Sequence, residues 1–107
     1  MRELTELNQL EQYLKIHDIP YERIDKEDEY LDENHKYCLV EFERHQICVP
    51  SENGEREWDA ICQRGSYGAE DGLLEIMGSI VSPMAGDSVE GYLTAEDVIA
   101  RIEREKR

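Results

Sequence analysis

The sequence is poor in basic residues and has no long apolar run. It carries 12 Lys and Arg against 26 Asp and Glu, which gives a formal net charge of −14. Nucleic acid and anionic membranes repel such a chain, which argues against non-specific binding to either. No apolar stretch approaches the roughly 20 residues of a membrane span, and the N-terminus lacks the continuous apolar core of a signal peptide. We therefore expect a cytoplasmic protein.

Cysteine is also scarce. The chain has three cysteines, an odd number, and they lie in strand-like surroundings at Cys38, Cys48 and Cys62. This favours reduced thiols over a disulfide framework.

The 107 residues, of which 39% are hydrophobic, suffice for one core, and no internal repeat indicates a second unit. We expect one domain spanning residues 1–107.

Apolar periodicity predicts an α+β fold, with an N-terminal helix, a small antiparallel sheet and two C-terminal helices over one sheet face. Four leucines recur at helical spacing over residues 3–16. Short strands are predicted at residues 21–24 and 37–42. We interpret the acidic segment between them, residues 26–36, as a mobile loop. A short helix docked through Tyr30 and Leu31 is the alternative.

The pair Asn53-Gly54 predicts a hairpin whose arms are residues 45–50 and 57–62, because a type I′ turn needs positive φ at both central positions. The resulting register places three pairs on one face of the hairpin. They are Val49 with Trp58, Ile47 with Ala60, and His45 with Cys62.

Two helices are predicted after this hairpin. Apolar residues at helical spacing favour a helix over residues 73–81, with Ser82-Pro83 ending it and a loop over residues 83–91. Thr94 and Asp97 have the spacing of a capping box, which predicts the start of the last helix.

The cysteines and histidines suggest two kinds of chemistry, a metal site and a nucleophilic thiolate. The pairs His35/Cys38 and His45/Cys48 suit zinc by residue type, but residues three apart on a strand face opposite sides. A reactive thiolate at Cys62 beside His45 would need electropositive surroundings that this chain lacks. We therefore expect no metal site, no cofactor and no catalytic residue.

Residues 65–68, Gly-Ser-Tyr-Gly, join the predicted strand to the predicted helix. They lack the lysine of a P-loop and the full glycine spacing of a dinucleotide site, and Glu70 and Asp71 follow where a phosphate would lie. We interpret the segment as a structural elbow. A small-ligand site for a nucleotide signal, with Arg64 or Arg44 supplying the cation, is an alternative.

No Lys, Arg or His occurs between Arg64 and Arg101, whereas seven acidic residues do. Such a stretch predicts an anionic face that attracts a basic partner, although a merely solvated acidic surface has the same composition. The predicted partner-binding residues are Tyr67, Glu70, Asp71, Glu75, Asp87 and Glu90.

The runs WDAICQRGSYGAEDGLLEIMGSIV and GDSVEGYLTAEDVIARI, within residues 58–102, resemble small acidic proteins of phages and prophages of gut bacteria. The resemblance supplies no catalytic residues. It implies a bacterial host cell and an accessory protein that inhibits a host defence, as anti-CRISPR proteins do when they mimic DNA in a nuclease groove.

From these features we predict a non-enzymatic phage accessory or anti-defence protein that presents its acidic surface to a basic protein, with no direct contact to nucleic acid or membrane. Two alternatives remain open. They are a binder or sponge for a nucleotide signal, and a homodimeric adaptor.

Overall fold

A computed structural model describes residues 3–30, 39–53, 56–82 and 88–106. Within those ranges the chain forms two α-helices, seven β-strands and one 3-10 helix. In chain order these are α1 (Thr5–Ile16), β1 (Glu22–Lys26), β2 (Glu29–Tyr30), β3 (Leu39–Glu41), β4 (Arg44–Val49), β5 (Trp58–Ile61), the 3-10 helix (Ala69–Asp71), β6 (Leu74–Gly78), β7 (Val89–Leu93) and α2 (Ala95–Glu105). The α+β class predicted from the sequence is confirmed.

The main sheet has five strands in the order β1-β4-β5-β6-β7, and every neighbouring pair is antiparallel. The predicted hairpin register is confirmed, because Val49 pairs with Trp58 and Ile47 with Ala60. The backbone N–H of Cys62 also donates to the carbonyl of His45 at 3.0 Å. Gly54 of the predicted turn lies outside the described residues.

The predicted helix over residues 73–81 is wrong, because residues 74–78 form strand β6. Leu74 and Ile76 are fully buried, whereas Met77 is half exposed, which is the alternation of a strand. Gly78, at φ +109°, ends the strand in a conformation that an L-residue rarely adopts. The C-terminal part therefore has one α-helix, and the only other helix described there is the three-residue 3-10 helix.

Two predicted loops are partly wrong. In the acidic segment 26–36, residues 29–30 form β2, which pairs with β3 in a separate two-stranded sheet. Residues 89–91 of the predicted loop 83–91 belong to β7, which pairs with β6. The remainder of the first segment beyond residue 30, and residues 83–87 of the second, lie outside the described residues.

Both helices pack on the same face of the sheet. From α1, the predicted leucine stripe supplies Leu7, Leu10 and Leu14, all fully buried, and α2 supplies Val98 and Ile102. They meet the side chains of Ile47, Val49, Trp58, Ala60, Leu74, Ile76 and Leu93 from the sheet. These residues form the core that fixes the positions of the connecting loops.

The start of α2 is fixed by polar contacts. The Thr94 hydroxyl accepts from the Asp97 N–H at 3.1 Å and the Asp97 carboxylate accepts from the Thr94 N–H at 2.9 Å, so the predicted capping box is confirmed. The Glu6 carboxylate of α1 also accepts from the Ala95 N–H at 2.7 Å. The two helices are thus joined by a hydrogen bond as well as by apolar packing.

Neither α1 nor α2, with 12 and 11 residues, is long enough to cross a bilayer, and no other helix among the described residues has the necessary length and apolar character.

Candidate functional site

The β5–β6 connection, residues 62–73, is built around a glycine in a left-handed conformation. Gly68 has φ +93°, and its carbonyl accepts from the N–H groups of Asp71 and Leu73 at 3.0 and 2.9 Å. A Cβ at this position would lie 2.9 Å from the Leu73 Cβ and 3.0 Å from the Tyr92 Cα. Glycine is therefore required where this loop presses against β7.

Two exposed tyrosines stack where the loop meets β7. The rings of Tyr67 and Tyr92 are 6.3 Å apart between centroids with an interplanar angle of 22°, and the residues are 56% and 63% exposed. Tyr92 has φ +59°, an uncommon backbone conformation for a non-glycine residue. The fold thus holds two large aromatic side chains in solvent at the expense of backbone strain, as binding sites often do.

The Tyr67–Tyr92 pair borders a cavity of about 430 Å³, a size that accommodates small ligands or one or two side chains. Its lining residues are Arg64, Gly65, Ser66, Tyr67, Gly68, Ala69, Glu70, Asp71 and Tyr92. Glu70 and Asp71 are exposed, and among the described residues neither has an ion-pair partner. The cavity edge therefore has a negative charge that nothing described in the chain offsets.

Among the described residues, the one cationic side chain that lines this cavity, Arg64, already has partners elsewhere in the protein. Arg64 forms an ion pair with Asp28, and its guanidinium lies 5.7 Å from the centre of the Phe42 ring. Both contacts direct Arg64 toward the segment that precedes β4. The charge of Arg64 is therefore already offset by Asp28.

The structure brings together four of the six residues predicted as a partner site. Tyr67, Glu70 and Asp71 line the cavity, and the Glu75 carboxylate accepts from the Tyr67 N–H at 2.9 Å. Asp87 lies outside the described residues. We call Tyr67, Glu70, Asp71, Glu75 and Tyr92 the acidic–aromatic surface. Sequence reasoning missed Tyr92, because residues 83–91 were expected to form a loop that ends just before it.

Glu90, the sixth predicted residue, contacts the helix layer instead of the cavity. Its carboxylate accepts from Arg101 of α2, with Nη2 to Oε2 at 2.5 Å, and from the Ser82 N–H at 3.1 Å. The hydrogen bond from Arg101 lowers the pKa of the Glu90 carboxyl below its ordinary value. The negative charge of Glu90 is thus offset inside the protein.

This ion pair predicts a pH dependence of stability. Because its pKa is lowered in the folded state, Glu90 stabilises the fold fully above the ordinary glutamate range, and the contribution is lost as pH falls through the folded pKa. We expect Glu90→Gln to lower the free energy of unfolding by about 1–3 kcal/mol at pH 7. Urea unfolding at several pH values from 7 to 3 measures this: the free energy of unfolding of Glu90→Gln should fall less steeply with decreasing pH than that of the wild type.

The control is Glu105→Gln, at an exposed position, whose free energy of unfolding should fall with pH as steeply as that of the wild type. Equal slopes for Glu90→Gln and the wild type would contradict the role of Glu90.

Among the described residues, His45 and Cys48 do not form the pair considered above for zinc. The His45 ring lies on the helix side of the sheet and contacts Asp25, whereas Cys48, an odd number of residues away, points to the other side. His35 and Cys38 lie outside the described residues. Burial raises the pKa of the Cys48 thiol, and the Cys62 sulfur contacts the Glu3 carbonyl at 3.7 Å.

No protein-family model, curated protein or solved structure matches this chain. The geometry of its own residues therefore carries the functional assignment. The acidic–aromatic surface combines exposed, stacked aromatic rings with uncompensated negative charge, and both features can attract cationic groups.

Proposed function

We propose that this protein is a non-enzymatic binding protein that holds an arginine-containing segment of a basic partner protein on the acidic–aromatic surface. The observation that carries the proposal is the stacked, exposed Tyr67–Tyr92 pair beside Glu70 and Asp71. A guanidinium lies flat on an aromatic ring and donates paired hydrogen bonds to a carboxylate. The surface offers both kinds of contact at the edge of a cavity of about 430 Å³.

A non-enzymatic role is supported by the state of the described thiols. Cys48 and Cys62 are both fully buried, and burial raises the pKa of Cys48, which disfavours the thiolate that a nucleophile needs. His45 contacts Asp25 at 2.8 Å and therefore lies in a hydrogen bond that does not involve Cys62.

A nucleotide ligand is less well supported, although a cavity does lie near residues 65–68 where that alternative requires one. The N–H groups of Ser66, Tyr67 and Ala69 already donate to oxygen atoms of this chain. Glu70 and Asp71 repel phosphate, and Arg64 is engaged by Asp28. Cationic groups suit this cavity better than anionic ones.

The resemblance to phage proteins supplies the biological setting of the proposal. In that setting the partner is a host defence protein, and the exposed carboxylates occupy the place that nucleic-acid phosphates take in its basic groove, as in anti-CRISPR proteins. The partner is then met inside the bacterial cytoplasm, and neither nucleic acid nor membrane contacts the acidic–aromatic surface directly.

A charge-reversal experiment tests the proposal. The double variant Glu70→Lys/Asp71→Lys should bind a fluorescein-labelled nona-arginine peptide about tenfold or more weakly than the wild type, as measured by fluorescence anisotropy. The matched control is Glu57→Lys/Glu105→Lys. These two exposed residues line a different cavity, at the Trp58 end of the β5–β6 hairpin, and change the net charge by the same amount. The control should retain most of the affinity.

Further comparisons separate a specific surface from general attraction between charges. Nona-lysine should bind more weakly than nona-arginine, because an ammonium group cannot stack on a ring as a guanidinium does. Tyr67→Ala should reduce this preference. Equal losses in the two double variants would overturn the proposal.

Two further measurements test the alternative functions. A thermal shift with ATP but not with nona-arginine would favour the nucleotide alternative, and a dimer in light scattering would favour the adaptor.

A further inference from the structure

Three side chains that can bind a metal ion converge where β1 and β4 are paired. Glu27 follows the end of β1, Glu43 precedes β4, and His45 lies on β4. One nitrogen or oxygen atom from each of them lies within 4.8 Å of the others. This group is separate from the acidic–aromatic surface. Sequence reasoning did not predict it, because it depends on the pairing of β1 with β4.

The buried imidazole of His45 distinguishes this group from an ordinary cluster of surface carboxylates. Its side chain is 3% exposed, and Nδ1 lies 2.8 Å from the Asp25 carboxylate. An ionised carboxylate only accepts hydrogen bonds, so this contact requires the proton on Nδ1, and in that tautomer Nε2 presents a lone pair. Among the described residues, Nε2 of His45 is a buried polar atom without a hydrogen-bond partner.

The distances around Nε2 suit a metal ion better than a hydrogen bond. Nε2 lies 3.6 Å from Oε2 of Glu43 and 3.9 Å from Oε1 of Glu27. Both exceed the roughly 2.7–3.2 Å of an N–H···O hydrogen bond. Two ligands about 2.1 Å from a tetrahedral Zn²⁺ are separated by about 3.4 Å. A movement of a few tenths of an ångström, easiest for the exposed Glu27, would bring both carboxylate oxygens to that separation from Nε2. The two carboxylate oxygens lie within 4.8 Å of each other.

We propose that His45, Glu43 and Glu27 bind a first-row divalent metal ion such as Zn²⁺, with Asp25 orienting the His45 ring. A carboxylate that accepts from the second nitrogen of a metal-binding histidine is the usual support of such a ligand. One imidazole and two carboxylates form a set that favours Zn²⁺ or Mn²⁺ over Ca²⁺ and Mg²⁺, which prefer all-oxygen sites.

The site is asymmetric in exposure. The side chains of His45 and Glu43 are 3% and 8% exposed, whereas that of Glu27 is 67% exposed. The metal ion would therefore lie at the protein surface, with two ligands fixed from below and one closing from solvent. With three protein ligands, a tetrahedral ion would take a water molecule as its fourth ligand. The Glu43 N–H donates to the Asp28 carboxylate at 2.8 Å, which fixes the backbone beside one ligand.

Calorimetric titration of chelator-treated protein with ZnCl₂ tests the proposal. We expect one Zn²⁺ per chain, and no comparable binding of MgCl₂. Glu27→Gln removes an exposed ligand and should weaken Zn²⁺ binding at least tenfold while leaving the circular dichroism spectrum unchanged. The matched control is Glu29→Gln, two residues further along and also exposed, which should bind Zn²⁺ like the wild type. Asp25→Asn should weaken binding by roughly ten- to a hundredfold.

X-ray absorption at the zinc edge then identifies the ligands. The proposal requires a shell of nitrogen and oxygen atoms at about 2.0–2.2 Å, which includes a histidine contribution that disappears in His45→Gln. A sulfur shell at about 2.3 Å would instead assign the metal to cysteine and overturn the proposal. Absence of Zn²⁺ binding, or equal affinity of Glu27→Gln and Glu29→Gln, would overturn it as well.

Discussion

Replacing Gly78 by alanine should lower the free energy of unfolding by about 3–5 kcal/mol, a large part of the total of a domain of this size. Two effects add. Gly78 has φ +109°, which an L-residue rarely adopts, and an added Cβ would lie 2.4 Å from the Glu57 carbonyl oxygen and 2.7 Å from the Trp58 Cα. Both are backbone atoms, one in Trp58 of β5 and one in the residue just before that strand, and they cannot rotate away. The end of the β5–β6 ladder therefore has to shift.

Gly65→Ala is the matched control for this variant. Gly65 also has a positive φ, +86°, but a Cβ there would meet no atom within 4 Å. Only the backbone strain remains, and we expect a loss of about 1–2 kcal/mol. Urea unfolding of both variants measures the difference, which is the steric part of the Gly78 effect. Equal losses at the two positions would show that the close approach of β5 and β6 at Gly78 does not limit stability.

Truncating Leu10 to alanine should cost about 2–5 kcal/mol. Leu10 is fully buried at the centre of the α1 stripe, between Leu7 and Leu14, and it packs in the core formed by both helices and the sheet. Alanine leaves a cavity that these neighbours fill only in part. Thermal unfolding followed by circular dichroism should show a melting temperature lower by roughly 10 °C or more.

The exposed neighbour Gln9 provides the control for the Leu10 variant. Gln9→Ala changes the same helix, and we expect an effect within about 0.5 kcal/mol, because surface substitutions away from special features are nearly neutral. Both substitutions introduce alanine, the best helix former, so neither should lose stability through helix propensity. If Gln9→Ala destabilises the protein as much as Leu10→Ala, burial of the Leu10 side chain in the core is not the source of the loss.

Local sequence patterns predicted the structure correctly where the spacing of the residues fitted only one type of secondary structure. The leucines of α1 recur every three or four residues and fit no strand. The pairing of Val49 with Trp58 followed from the Asn53-Gly54 signal together with the alternation of apolar residues in both arms. The cap at Thr94 depends on two residues three apart. Each of these features is encoded within a few turns or one hairpin.

The error at residues 73–81 has a physical origin. Its apolar residues at positions 73, 74, 77, 80 and 81 fit helical spacing, but Leu74 and Ile76 also alternate as a strand requires. A short apolar run is ambiguous between the two periods. Strand pairing in the folded protein decides between helix and strand, because β6 pairs with β5 on one side and with β7 on the other. Gly78 at positive φ agrees with a strand end, which the sequence pattern alone did not reveal.

The two sites differ in how far they could be predicted. Tyr67, Glu70 and Asp71 are neighbours along the chain, so their proximity was predictable, whereas the position of Tyr92 required the docking of the β5–β6 connection on β7. The Glu27, Glu43 and His45 group requires β1 to pair with β4, over a separation that no local signal encodes.

The position of Trp58 gives the chain a built-in optical reporter. It is the only tryptophan of the sequence and is 5% exposed. Cys62, four residues further along, lies at the end of the sheet that carries both sites, and at the rise per residue of a strand this is roughly 13 Å from Trp58. Its fluorescence should shift to longer wavelength when the core opens to water. Emission from this one indole can therefore follow global unfolding of every variant above, while peptide or zinc titrations are recorded by separate signals.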